Sequence, residues 1–293
     1  MDFYREPTEN AVWDMIKEIT KQHSCSNCFS IGKTVLNRKI PVLTVGNRDQ
    51  WTLFAAATHG SEWLTALCAL RFFEEVCEEA EKGSGKTAGA IARRGLAVIP
   101  VLNPDGAEIS IRGAKGAKNA GQRIERLSGG DFIHWNANAR GVDLNHNFDA
   151  GWELLRKMER KAGIFGPSPR QYGGPCPFSE PESRAVGGFC RTFCVERLYA
   201  LHSQGEEIYW YYGPKTPFRS REIAKELADV SGYTVAMPEG LASHGGLKDW
   251  FIEEFGRPGF TLELGRGENP LLLSDFEETY EKARPLFRKA LIL

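Results

Sequence analysis

The sequence has almost no net charge and no long apolar run. Its 37 Lys and Arg residues balance 38 Asp and Glu residues, and no basic cluster alternates with aromatic residues as it would along a phosphate backbone. No window approaches the roughly 18 consecutive apolar residues that a membrane-spanning helix needs. We therefore expect neither nucleic acid nor a membrane span among the partners of this chain.

Two further absences bear on location and on cysteine chemistry. The first nine residues, MDFYREPTE, lack the basic start and apolar core of a secretory leader, which favours a cytoplasmic protein. Seven cysteines are an odd number and fit reduced thiols better than a disulfide framework. Cys25 and Cys28 form one C-x-x-C motif, but no second pair follows at zinc-finger spacing, so we expect a turn there.

Length and periodicity predict one α/β domain over residues 1–293. The chain is 42% hydrophobic and 26% charged, which is typical of a globular protein. Residues 1–28 are predicted to form an N-terminal helix, Glu9–Gln22, and a turn. The remaining apolar and amphipathic patterns predict strands at 29–36, 40–45, 51–58, 95–101, 197–201, 207–212 and 259–264, and helices at 61–80, 179–195, 217–231, 247–255 and 275–292.

Three segments are predicted to be irregular. Residues 83–89 (GSGKTAG) contain Gly-Lys-Thr, but the first glycine of a phosphate-binding loop should stand at position 80, which is Ala80, so we expect a solvated loop. Asn103-Pro104-Asp105-Gly106 has the composition of a turn. Residues 107–140 show little periodicity, and we expect a long surface excursion of the kind that often builds a binding cleft.

Metal-ligating side chains follow two predicted strands. His59 and Glu62 lie on the turn after the strand 51–58, and His202 directly follows the strand 197–201. Open α/β sheets place their ligands at such carboxyl ends of strands. Two imidazoles and a carboxylate are good zinc ligands, and a catalytic zinc usually takes three protein ligands and leaves a position for water. We expect these three side chains to converge on one ion.

A carboxylate lies inside the apolar segment Gly259–Leu264. Glu263 would be costly to bury there unless it is paired or takes part in catalysis. It is our candidate for a general base, with an ion pair as the alternative role. The polar segment from Arg140 to Phe148, which closes the irregular excursion, is a second candidate part of a site.

Six short motifs occur in a familiar order. They are His59-x-x-Glu62, Asn103-Pro104-Asp105-Gly106, Val142-Asp143-Leu144-Asn145, Ser179-Glu180-Pro181-Glu182, His202-Ser203 and Thr261-Leu262-Glu263. In this order the chain resembles the carboxypeptidase A-like zinc metallopeptidases, over about residues 40–290. Within that family, the segments GVDLNHNFDAGW (141–152), PFSEP (177–181) and HGGLKDWFIEEFGRPGFTLELGRGENP (244–270) look most like the bacterial γ-D-glutamyl-L-diamino acid endopeptidases, which cut cell-wall stem peptides.

The resemblance implies a fold and a site. The fold is an α/β domain with a mixed parallel and antiparallel sheet and helices on both faces. One Zn²⁺ would be held by His59, Glu62 and His202, with Glu263 as the general base. The chemistry is consistent, since zinc polarises the scissile carbonyl and a neighbouring carboxylate can move the proton.

Several positions depart from the pattern of the digestive carboxypeptidases. Those enzymes have Asn-Arg where this chain has Asn145-His146, so the arginine that grips the terminal carboxylate of the substrate is absent. The arginine that stabilises the oxyanion is replaced by Asn136, and Arg140 or Arg112 are candidate substitutes. Their loop tyrosine falls at about Leu241, where no phenol is available, although His244 is near in sequence.

Position 248 bears on the substrate. The resemblance places Lys248, fifteen residues before Glu263, at the base of the specificity pocket, where a cation would favour a carboxylate such as that of diaminopimelate. The alternative is a solvated lysine on a short helix.

We therefore expect a peptidase that hydrolyses the bond between γ-D-glutamate and diaminopimelate in muropeptides. Two alternatives remain open. One is a broader metallocarboxypeptidase or deacylase of the same fold, and the other is a zinc-binding scaffold without catalytic activity.

Overall fold

The computed structural model describes all residues from Met1 to Leu293. It has eight strands: β1 Ser26–Lys33, β2 Lys39–Val45, β3 Trp51–Ala56, β4 Gly95–Ile99, β5 Val195–His202, β6 Glu207–Tyr209, β7 Thr234–Ala236 and β8 Gly259–Glu263. Its ten α-helices are α1 Glu9–Gln22, α2 Leu64–Lys82, α3 Lys86–Arg93, α4 Pro104–Arg112, α5 Gly121–Ser128, α6 Trp152–Lys161, α7 Pro181–Thr192, α8 Ser220–Ser231, α9 Leu247–Phe255 and α10 Phe276–Ile292.

All eight strands form one sheet in the order β1-β2-β4-β3-β5-β8-β6-β7. The four central strands β4, β3, β5 and β8 are parallel, whereas β1, β2 and β6 join the sheet in antiparallel pairs. This confirms the mixed sheet. Because β3, β5 and β8 are adjacent and parallel, the residues that follow them emerge at one edge of the sheet.

Helices cover both faces of the sheet, as predicted. Along β3, Phe54 and Ala56 point into the larger apolar core, which includes residues of α1, α2, α8 and α10. Leu53 and Ala55 point into a second core, which α7 and α9 cover. A strand buried on both faces explains why this segment is a continuous apolar run rather than an alternating one. No helix of the protein combines the length and apolar character needed to cross a bilayer.

The predicted excursion from 107 to 140 is wrong in part, since it contains most of α4 and all of α5. The predicted turn at Asn103 is instead the start of α4: the Asn103 side chain accepts a hydrogen bond from Gly106 N at 2.8 Å, and Pro104 occupies the first turn. Asparagine at the cap followed by proline is a helix-initiating pattern. The loop predicted at 83–89 is also wrong in part, because helix α3 begins within it at Lys86.

Other boundaries also differ from the predicted ones. The helix predicted for residues 179–195 begins at Pro181 and ends at Thr192, because Glu180 occupies the cap position of α7 and the Ser179 hydroxyl donates to the Glu180 carboxylate. Strand β1 begins at Ser26, so Cys28 lies in a strand and not in a turn. Helix α6 and strand β7 have no counterpart among the predicted elements.

Candidate metal centre

The turn that carries His59 is held by the neighbouring loop. The Asn103 amide donates to Thr58 O at 3.1 Å and to Asn136 O at 3.2 Å, and Gly60 N donates to Asn136 O at 3.0 Å. The Ser61 hydroxyl donates to Asn136 Oδ1 at 2.5 Å. The backbone on both sides of His59 is therefore fixed by hydrogen bonds that are buried from water.

Only glycine fits at position 60. A Cβ there would stand 2.4 Å from Gly106 O and 2.5 Å from Trp135 O. The close approach of these three chain segments lets a short 3-10 turn, Gly60–Glu62, follow His59 directly. This turn brings Glu62 back toward His59.

The structure brings His59, Glu62 and His202 together, as the sequence predicted. Nδ1 of His59 lies 2.7 Å from one Glu62 carboxylate oxygen, and Nδ1 of His202 lies 2.9 Å from the other. The two imidazole rings are 4.9 Å apart between centroids. One ligand atom from each residue lies within 4.8 Å of the others, so the three can bind one ion. We call these three residues the metal group.

This donor set fits zinc. Two imidazole nitrogens and one carboxylate are ligands that catalytic zinc uses, and three protein ligands leave a position open. Two carboxylates, those of Glu62 and Asp143, lie within hydrogen-bond distance of His59, and Glu263 stands beside His202 on the neighbouring strand. A divalent cation offsets such an excess of negative charge.

Asp143 completes the surroundings of His59, and sequence reasoning did not assign it a role. Its carboxylate lies 3.2 Å from His59 Nε2 and also accepts from Gln171 N at 2.8 Å. Although burial alone would lower it, the charges of Glu62 and then Asp143 raise the pKa of His59 well above its usual range. A carboxylate on the second nitrogen fixes the orientation of a metal-ligating imidazole. Asp143 lies within the polar segment 140–148, but only its tertiary contact reveals this role.

Glu263 is the last residue of β8 and stands beside His202 in the parallel register. No hydrogen bond or ion pair links its carboxylate to any basic side chain, so the alternative role as an ion-pair partner is wrong. Burial and then the charge of Glu62 raise the pKa of Glu263 well above its usual range. A carboxylate with a raised pKa next to a metal group can take up a proton and release it again.

Asn145 and His146 retain free polar atoms. Asn145 Oδ1 accepts from Leu247 N at 3.1 Å, and His146 Nδ1 lies 3.0 Å from the Glu159 carboxylate. Asn145 Nδ2 and His146 Nε2 make no hydrogen bond within the chain. Burial lowers the pKa of His146, which disfavours a charged imidazole in place of the missing arginine.

Lys248 is 4% exposed, so the alternative of a solvated lysine is wrong. Its ammonium forms an ion pair with the adjacent Asp249 and donates to Tyr211 O at 3.0 Å. The charge is therefore already paired within the chain, which the sequence did not indicate. Its predicted role in substrate binding stays a prediction.

His244 lies beside a phenol that sequence reasoning missed. The Tyr212 hydroxyl is 3.1 Å from His244 Nδ1, and both line a pocket of about 300 Å³. Tyr212 lies 29 residues before Leu241 in the chain, so no local pattern links it to the loop around Leu241. The Lys248 ammonium lies 5.7 Å from the centre of the Tyr212 ring.

The two arginines proposed to stabilise an oxyanion pair elsewhere. Arg140 lies 3.5 Å from the Glu180 carboxylate, and Arg112 lies 3.4 Å from that of Glu108. Neither forms a hydrogen bond or ion pair with the metal group or with Glu263. The Asn136 amide is nearer to the ligands, because its oxygen accepts from Ser61 between His59 and Glu62, and its nitrogen makes no hydrogen bond within the chain.

Comparison with known proteins identifies the family. The zinc carboxypeptidase family matches residues 12–285. The chain is 34% identical over 284 residues to γ-D-glutamyl-L-diamino acid endopeptidase 1 of Lysinibacillus sphaericus, covering 95% of this chain and 70% of that protein. It is 33% identical over 291 residues to the protein named YqgT of Bacillus subtilis (strain 168), covering 97% and 76% of the two chains.

The fold is also similar to that of solved structures. The structure of bovine thrombin-activatable fibrinolysis inhibitor in complex with tick carboxypeptidase inhibitor matches with a TM-score of 0.76 at 22% identity, over 99% of this chain and 97% of that one. That likeness concerns the fold. The sequence match over nearly the whole chain and the convergence of His59, Glu62 and His202 on a zinc-competent group lead to one conclusion: the chain belongs to the zinc carboxypeptidase family and is a zinc metallopeptidase.

Proposed function

We propose that the chain hydrolyses the bond between γ-D-glutamate and diaminopimelate in peptidoglycan peptides, with His59, Glu62 and His202 as the zinc ligands. The observation that carries the catalytic part is the placement of Glu263. Its carboxylate lies beside the metal group without a basic partner.

Each residue of the site has a distinct role in this proposal. When bound, zinc supplies the Lewis acidity that polarises a scissile carbonyl and acidifies a water. Glu263 accepts a proton from the attacking water and donates it to the leaving nitrogen, so its carboxylate is restored after each turnover. Asp143 holds the imidazole of His59 in place, and the Asn136 amide nitrogen is a donor for the negative charge that develops on the carbonyl oxygen.

Two observations support the substrate class. The first is the 34% identity to a γ-D-glutamyl-L-diamino acid endopeptidase over 95% of this chain. The second is His146, a side chain whose pKa burial lowers, where a clamp for a terminal carboxylate would require a cation. Asn145 Nδ2 and His146 Nε2 remain available to a polar substrate group.

The test compares wild type with Glu263→Gln on the tripeptide L-Ala-γ-D-Glu-diaminopimelate. A second tripeptide, with α-linked L-Glu in the same position, serves as the substrate control. We expect wild type to release diaminopimelate from the γ-linked peptide only, and Glu263→Gln to release it at least about a hundredfold more slowly while it still contains zinc.

Two results would overturn this proposal in favour of an alternative function. Equal cleavage of both tripeptides would indicate a broader metallocarboxypeptidase. Bound zinc without cleavage of either peptide by wild type would indicate a scaffold without catalytic activity.

A further inference from the structure

A second cleft, separate from the metal centre, lies between helix α6 and the segment 172–175. It encloses about 420 Å³. Eight residues line it: Trp152, Glu153, Arg156, Lys157, Arg160, Tyr172, Gly174 and Pro175. We call it the α6 groove.

The α6 groove carries an excess of positive charge. Three of its residues are basic, namely Arg156, Lys157 and Arg160, and Glu153 is its only acid. Lys157 and Arg160 make no ion pair or side-chain hydrogen bond within the chain. Two cations are therefore free to meet an anion from outside the protein.

Arg156 is fixed at the base of the groove. It is 9% exposed, and its guanidinium lies 4.7 Å from the centre of the Tyr172 ring and 5.9 Å from that of Trp152. It also forms an ion pair with the fully buried Glu159. Because its planar fork is held on two aromatic rings, little side-chain entropy is lost when its remaining N–H groups bind a carboxylate.

The groove is connected to the metal centre by direct contacts. Glu159, the partner of Arg156, lies 3.0 Å from His146 Nδ1. On the other wall, Tyr172 O accepts a hydrogen bond from Asp143 N at 2.7 Å, and Asp143 touches His59. The groove therefore adjoins His146, the residue that stands where a carboxylate clamp is missing.

We propose that the α6 groove binds the terminal carboxylate of a peptide that extends beyond the residue next to the scissile bond. This inference rests on the proposed function, since it places the downstream end of that substrate. His146 supplies no arginine-like cation for a terminal carboxylate, whereas Arg156, Lys157 and Arg160 form a cluster of cations on the other side of Glu159, which contacts both His146 and Arg156. The chain would thus favour substrates longer than those whose last residue is the leaving group.

The experiment uses the tetrapeptide L-Ala-γ-D-Glu-diaminopimelyl-D-Ala with a free terminal carboxylate and the same peptide with a terminal amide. For wild type we expect KM to be about fivefold lower for the free acid, the size of one or two exposed ion pairs. In Arg160→Ala this preference should fall to about twofold, and in the double variant Lys157→Ala/Arg160→Ala it should vanish.

Lys161→Ala is the matched control. Lys161 is an exposed cation on the same helix that does not line the groove, so its removal changes the net charge equally and should leave the preference intact. The inference is overturned if wild type cleaves both tetrapeptides with the same KM, or if Lys161→Ala lowers the preference as much as Arg160→Ala does.

The two proposals fail in different ways. Absence of any cleavage by wild type, of the tripeptide and of both tetrapeptides alike, overturns the proposed function and this inference with it. Cleavage that ignores the terminal charge overturns only the α6 groove.

Discussion

Replacement of Glu182 by glutamine should change how the stability of the protein depends on pH. Glu182 is fully buried on α7, where its carboxylate accepts from Val35 N at 3.2 Å and from Asn138 Nδ2 at 3.1 Å. It has no basic partner, and burial raises its pKa from 4.5 to about 7. The folded protein therefore disfavours the ionised form of Glu182.

The magnitude follows from the two pKa values. Between them the folded state holds a proton that the unfolded state has released, so the free energy of unfolding falls as the pH rises from 4.5 toward 7. At about 1.4 kcal/mol per pKa unit, this loss amounts to about 2.5 kcal/mol between about pH 5 and about pH 8.5. Glutamine at this position cannot titrate. The variant makes about one hydrogen bond fewer, because the NH₂ group of the glutamine must face one of the two donors. This lowers its free energy of unfolding by about 1 kcal/mol at every pH.

The assay is urea denaturation of wild type and Glu182→Gln at about pH 5 and about pH 8.5. The free energy of unfolding of the variant relative to wild type should rise by about 2.5 kcal/mol between the two conditions. Glu125→Gln, at an exposed acid without an ion pair on α5, is the control and should show no such change. A difference between Glu182→Gln and wild type that stays the same at both pH values would refute the reasoning.

Three further predictions concern the site. Glu263→Gln should lower kcat about 10²–10⁴-fold, because proton transfer is lost, and steady-state kinetics at saturating substrate would measure this. Asp143→Asn should weaken zinc binding about 10–100-fold, since the amide no longer orients His59 as a carboxylate does; competition with a chelator gives the affinity, and an unchanged affinity would contradict the role of Asp143. Lys248→Met should lower the free energy of unfolding by about 3–5 kcal/mol, because it leaves Asp249 buried without its cation. Urea denaturation tests this, and a loss below about 1 kcal/mol would argue against a buried ion pair.

The sequence predicted the metal group because each ligand stands at the carboxyl end of a predicted strand or on the turn that follows it. His59 follows β3 and His202 is the last residue of β5, and these adjacent parallel strands end at the same edge of the sheet. The convergence of these two histidines with Glu62 could therefore be predicted without knowing the conformation of the long loops. Helix α1 was also predicted to the residue, since its amphipathic period is uninterrupted, and the bounds predicted for helix α9 were likewise confirmed.

The rest of the site depends on contacts between distant segments. Asp143 reaches His59 across 84 positions, and Tyr212 reaches His244 across 32. No periodicity encodes such contacts. Lys248 shows the same limit, because a lysine beside an aspartate on a helix predicts a solvated pair, whereas α9 turns both into the protein interior.

Helix starts were missed where proline and glycine dominate the composition. Asn103-Pro104-Asp105-Gly106 has turn composition, yet the same asparagine and proline start α4. The predictions of a cytoplasmic location and of no nucleic-acid partner stay predictions.

The most direct test of the account is the zinc content of the purified chain, measured by mass spectrometry of the metal in wild type, Glu263→Gln and His202→Ala. We expect about one zinc per chain in the first two proteins and far less than one in His202→Ala, because three ligands hold the ion and Glu263 does not. A full equivalent of zinc in His202→Ala, or the loss of zinc from Glu263→Gln, would contradict the assignment of His59, Glu62 and His202 as the metal ligands.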